Sequence, residues 1–187
     1  MKKKISLQPE LILFLSILIY KEPTVILPFL AACILHELGH ITMLHCIKHC
    51  TYSISLQAAG AVITTESLTY RQILWATLSG PAANFLGLLY APLSPAFAKY
   101  NLVLGIYNLL PLSFLDGGVI LNTLLRVFRH PDQADALSGK ISKLTLYLLL
   151  FFSLLISLWQ KNPLPSIAAT LLFMKQYSAC RKEGHLL

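Results

Sequence analysis

The sequence predicts an all-α integral membrane protein of about six transmembrane helices, with a short membrane-associated β-hairpin between the second and third. Three observations carry that prediction. Apolar residues make up 56% of the 187 and charged residues only 12%, against roughly 25% charged in a typical soluble domain. The apolar residues gather into stretches at approximately 5–20, 24–47, 71–93, 97–126, 141–160 and 162–177, and about 20 residues suffice to cross the hydrocarbon. The basic residues are distributed unevenly between the two sides. With the N-terminus inside, Lys2, Lys3, Lys4, Lys48, Arg71, Arg126, Arg129, Lys140, Lys143, Lys175, Arg181 and Lys182 share one side and Lys21, Lys99 and Lys161 the other, 12 against 3. The positive-inside rule then places both termini of a multi-pass protein in the cytoplasm. A soluble enzyme and a disordered chain are both excluded by the composition. The net charge of +7 belongs to this topology, and no nucleic-acid partner is expected.

The first stretch follows a basic start but has no small-x-small cleavage site before Lys21-Glu22-Pro23, so it is expected to be retained as a membrane segment. It and the sixth stretch, which holds Pro163 and Pro165, are the weakest spans, with a tilted or interfacial placement as the alternative. Between the second and third stretches, β-branched and tyrosine residues alternate on either side of Ala58-Ala59-Gly60, which reads as a hairpin, or alternatively as an irregular interfacial loop. The third stretch contains Ser79-Gly80-Pro81-Ala82-Ala83-Asn84, a pattern that on its own fits a kink with a polar packing contact. In the fourth, Pro111 and the pair Gly117-Gly118 are expected to break the helix. Cys33, Cys46, Cys50 and Cys180 show no paired framework, and disulfides are not implied.

Chemistry concentrates in the second stretch, which carries His36-Glu37-Leu38-Gly39-His40. Two histidines four apart leave nearly the same face of a helix and can grip one tetrahedral zinc ion, with the adjacent glutamate placed to take a proton from a water. An ionisable group at mid-membrane costs about 2.5–3.5 kcal/mol on insertion scales and needs a partner. A catalytic zinc needs a third protein ligand. Of the eight acidic residues only Glu37 and Asp116 lie well inside apolar runs. Asp116 is preferred to Glu66, which sits beside Thr64, Thr65 and Ser67 where a solvated carboxylate needs no metal. Depth agrees, because His36 precedes Lys48 by 12 residues and Asp116 precedes Arg126 by 10, or roughly 18 and 15 Å along a helix. A second metal at His45, Cys46, His49 and Cys50 is the lesser reading of those residues, which fit a membrane interface.

HELGH, GPAAN and NLLPLSFLDGG, in this order on three successive spans, resemble the site-2 protease family of intramembrane zinc metalloproteases, in its short form without a PDZ insertion. The resemblance covers residues 24 to about 126 and implies a single membrane-embedded metalloprotease domain over 1–187 with its catalytic core in that region. It implies one zinc ion held by His36, His40 and Asp116, with Glu37 as general base. Asn84, Asn108 and the segment around Gly60 match positions that the family places near the catalytic centre and its membrane-associated β-loop, and are candidates for substrate binding or oxyanion stabilisation. The expected activity is hydrolysis of a peptide bond in or beside the transmembrane segment of a membrane-tethered regulatory protein, a sporulation pro-sigma factor being the family-level expectation. The expected partners are that substrate, the lipid bilayer of a bacterial cell membrane and a membrane regulatory protein. This chain departs from the family at Ala59, Ser113 and Val119, where a glycine, a second proline and an arginine are usual, and the ten residues after Tyr177 leave no room for the nucleotide-sensing domain of some relatives. A metal-ion transporter or metal-sensing membrane protein is the alternative, which would distribute its ligands along a path.

Overall fold

A computed structural model describes residues 23–47, 52–57, 60–65, 68–162, 165–167 and 169–174; the first apolar stretch lies outside the described residues. The elements are α1 (Pro23–Cys46), β1 (Tyr52–Gln57), β2 (Gly60–Thr65), α2 (Tyr70–Gly87), a 3-10 turn (Leu88–Tyr90), α3 (Pro95–Asn108), α4 (Asp116–Phe128) and α5 (Pro131–Gln160). A short apolar helix, α6 (Pro165–Met174), follows. Three helical segments, Ile26–Cys46, Tyr70–Tyr90 and Pro131–Gln160, are each long and apolar enough to cross a membrane. β1 and β2 pair antiparallel, from Tyr52 opposite Thr65 to Gln57 opposite Gly60.

Local chemistry sets the helix boundaries. Thr69 and Gln72 form a reciprocal capping box at the start of α2, with Thr69 N donating to Gln72 Oε1 at 2.9 Å. Ser94 caps α3 ahead of Pro95 at its first turn. The stretch expected at 97–126 is two helices, α3 and α4, separated by residues 109–115. Pro111 lies in that break, but Gly117 and Gly118, expected to share in it, instead open α4. A Cβ on Gly118 would run into the carbonyl of Leu112, so glycine is needed for close approach there and not for breaking the helix. The fifth stretch, expected at 141–160, starts earlier, at Pro131, with Asp132 in the first turn.

The chain falls into two compact units, Met1–Leu109 and Leu110–Leu187. In the first, α1, α2 and α3 pack on one another, with Phe29 and Tyr100 meeting edge to face at 5.9 Å. Gly39 permits the approach of α1 to α2, because a Cβ there would strike the Ser79 carbonyl and the Ala83 methyl. In the second, α4 packs on α5, and Arg126 clamps the Asp135 carboxylate with two bonds of 2.8 Å from Nη2 and one of 3.0 Å from Nε.

The packing is inverted relative to a water-soluble protein. His36, His40, Asn84, Asn101, Thr123, Ser138, Ser142 and Ser157 are buried, while Leu27, Leu89, Leu93, Phe128 and Trp159 are between 76% and 86% exposed. Apolar surface of that kind has no cost against lipid, and polar side chains turn inward to find partners. Gln133 and Gln160, both exposed, stand about 40 Å apart along α5 at about 1.5 Å per residue. Single cysteines placed at them in a cysteine-free background should therefore fall on opposite sides. An impermeant thiol reagent applied to intact cells should label Gln160→Cys and spare Gln133→Cys; the reverse pattern would invert the topology.

Candidate metal centre

His36 and His40 lie one turn apart on α1 and are each 7% exposed. Their rings meet edge to face with centroids 4.7 Å apart, and their Nε2 atoms are 3.1 Å apart. What each ring does with its other nitrogen decides what those Nε2 atoms are. His40 Nδ1 lies 2.7 Å from the Ala76 carbonyl, which can only accept, so His40 donates from Nδ1. His36 Nδ1 lies 2.6 Å from Asn84 Oδ1, and His36 donates there as well. A neutral imidazole that donates from Nδ1 carries its lone pair on Nε2. Two lone pairs are thus aimed at one region.

That donor set fits zinc. Two nitrogens bonded to a tetrahedral zinc at about 2.0–2.1 Å stand about 3.3 Å apart, close to the 3.1 Å between the two Nε2 atoms. A metal-bound histidine characteristically donates its other N–H to a carbonyl or similar acceptor, which fixes the tautomer and the ring plane. His36 and His40 belong to the first unit and Asp116 to the second. Asp116 opens α4, so its carboxylate stands at the positive end of a helix dipole. Oδ2 of Asp116 and Oε2 of Glu37 are shut off from solvent.

The GPAAN pattern acquires a specific meaning. Gly80 and Asn84 are one turn apart on α2, as the histidines are on α1, and each serves one of them. A Cβ on Gly80 would lie on the imidazole of His40, so Gly80 makes the space that ring occupies. Asn84 is wholly buried and holds His36. Both its amide protons are committed, to the Ala32 carbonyl at 3.2 Å and to Asn101 Oδ1 at 2.8 Å. In this arrangement both amide protons of Asn84 have acceptors and its oxygen faces His36 Nδ1. Asn108 closes α3 half-buried. Gly60 begins β2 opposite Gln57. Glu66, His49 and Cys50 lie outside the described residues, and His45 and Cys46 are exposed at the end of α1.

Asn101 is the residue that sequence reasoning missed. It is 0% exposed and stands in the apolar α3, where an amide needs a partner as much as a charged group does; that was the available signal. Ser113 is the other point of interest, since a proline is usual there in the family it resembles. Its backbone N–H, which proline lacks, donates to Ser142 Oγ at 3.0 Å, tying the loop before Asp116 to α5. Ser142→Ala removes this acceptor and should cost about 0.5–1.5 kcal/mol, the net worth of one hydrogen bond. A lowered melting temperature in detergent checks this; an unchanged one would show the loop to be held by other means.

The model of peptidase family M50 matches residues 89–156. Among solved structures the chain is similar to the site-2 protease from Methanocaldococcus jannaschii, with a TM-score of 0.70 and 22% identity, over 93% of this chain and 89% of that one. No curated protein sequence matches the chain. The family match takes in Asp116 and its loop, and the backbone of the chain is similar to that of a site-2 protease.

Proposed function

We propose that the protein is an intramembrane zinc metalloprotease that hydrolyses a peptide bond in or beside the transmembrane segment of a membrane-tethered protein. The observation that carries this reading is the pair of buried imidazoles whose Nδ1–H groups are both tied to oxygen acceptors, so that both Nε2 atoms face one region beside Glu37. His36, His40 and Asp116 are the proposed ligands of one zinc ion. Zinc bound there supplies a Lewis acid that polarises a water and the scissile carbonyl. Two neutral imidazoles, two carboxylates and a dication sum to zero charge, which lowers the cost of burying them.

The chain's own groups divide the remaining work. The carboxylate of Glu37 accepts a proton from the attacking water and returns it to the leaving nitrogen. Asn108 is the proposed donor to the developing oxyanion. The ribbon around Gly60 is assigned the edge on which an unwound substrate strand pairs. The catalytic core is assigned to residues 24–126 of a single domain, spanning a bacterial cell membrane with both termini in the cytoplasm. The short form of the chain resembles stage IV sporulation protein FB, and on that likeness a pro-sigma factor is the proposed substrate, with a membrane regulatory protein as a further partner. A metal-ion transporter is disfavoured because the two imidazoles converge on one region and do not line a path.

The test is zinc content per purified protein beside cleavage of a co-expressed membrane-tethered substrate. His36→Ala, His40→Ala and Asp116→Asn should lower both together, and Glu66→Gln should lower neither. Loss of zinc in Glu66→Gln with retention in Asp116→Asn would overturn the ligand set.

A further inference from the structure

We infer that Asn101 is a positioning residue that sets the tautomer of His36 through Asn84; the inference deepens the zinc reading above and rests on it for its functional meaning. A primary amide next to a histidine can present either its oxygen or its NH₂, and the two choices have opposite consequences. Oxygen toward Nδ1 makes the imidazole donate there and leaves Nε2 as the lone-pair nitrogen. NH₂ toward Nδ1 makes the imidazole accept there, puts the proton on Nε2 and disables the ring as a ligand. Something must therefore fix which way Asn84 faces.

The neighbouring groups fix it in one direction. Asn101 Nδ2 donates to the Phe97 carbonyl at 2.9 Å, and that carbonyl can only accept. Asn101 must then turn its own Oδ1 toward Asn84, where it receives a bond of 2.8 Å from Asn84 Nδ2. The Ala32 carbonyl takes the other proton of the same NH₂ at 3.2 Å. Asn84 Oδ1 is left facing His36 Nδ1 at 2.6 Å. A backbone carbonyl of α3 is thereby connected through two amides to a ring nitrogen of α1, and reversal of any member would set acceptor against acceptor or donor against donor.

Burial gives the arrangement its weight. Asn84 and Asn101 are both 0% exposed, so water cannot substitute for a lost partner and an orphaned group carries its full desolvation cost. Space for the Asn101 amide is kept by Gly87, where a Cβ would meet it. Asn101 is wholly buried and acts only through Asn84.

The tautomer can be read without metal. In full-length, zinc-free protein labelled with nitrogen-15 histidine, the neutral His36 ring should carry its proton on Nδ1 in the wild type. Asn101→Leu should move population to the Nε2–H form. Asn101→Asp, protonated in this buried site, still offers one acceptor and one donor, and should restore the Nδ1–H form even if the leucine variant fails to fold. Zinc affinity measured by competition with a chelator should fall about 10-fold in Asn101→Leu, the lower end of the range for residues that orient a ligand. Adding Asn101→Leu to Asn84→Leu should weaken zinc no further, because the first residue works through the second. An unchanged His36 tautomer in Asn101→Leu, an Nε2–H form in Asn101→Asp, or additive losses in the double variant would each overturn the inference. Absence of zinc binding by the wild type would instead overturn the metalloprotease reading, while the tautomer measurement would still decide the role of Asn101.

Discussion

Glu37→Gln should retain zinc and lose hydrolysis by about 10²–10⁴-fold, the usual contribution of a positioned general base. Glutamine keeps the length and planarity of the side chain but cannot accept the water's proton. The Nδ1 contacts of His36 with Asn84 and of His40 with the Ala76 carbonyl do not involve the Glu37 side chain and should survive the change. Zinc content and cleavage therefore separate in this variant, whereas they fall together when a ligand is removed. Measured on one preparation, normal zinc with abolished cleavage supports a proton-transfer role. Normal cleavage would remove Glu37 from the mechanism, and loss of zinc would make it a metal-holding group.

The parts of the site that were legible in the sequence are those fixed by helix geometry or by scarcity. A four-residue spacing puts His36 and His40 on one face whatever surrounds them, and Asp116 stood out because so few acids lie within apolar runs. What could not be read is the partner of a polar side chain. Asn84 stands out in the sequence as a polar residue in an apolar span, but its bonds to His36, Ala32 and Asn101 reach across to α1 and α3, and only packing reveals where its protons go. The partners of Asn101 are hidden from the sequence for the same reason. The fold shows a parallel limit. Glycine's low helix propensity predicts a break at Gly117 and Gly118, yet both sit in the first turn of α4, and at Gly118 the carbonyl of Leu112 leaves no room for a Cβ. The early start of α5 was obscured by the polar residues of its first turns, which carry no apolar period to read.

Gly80→Ala is expected to empty the metal site although Gly80 ligates nothing. In an ordinary helix interior this substitution stabilises by about 0.5–1 kcal/mol, so the sign expected here is set by one contact. The new methyl would overlap Nε2, Cε1 and Cδ2 of His40, and the ring can escape only by swinging away from the Ala76 carbonyl that fixes its Nδ1. That movement takes its Nε2 off the 3.1 Å approach to His36. Zinc affinity should fall by at least about 100-fold, the upper end of what loss of an orienting partner produces, and cleavage should fall with it. Gly139→Ala in α5 is the control, because a Cβ there meets nothing within 4 Å and should leave zinc affinity unchanged. Retention of zinc by Gly80→Ala would mean that His40 can ligate from another rotamer, and the role given to Gly80 in seating that ring would be withdrawn.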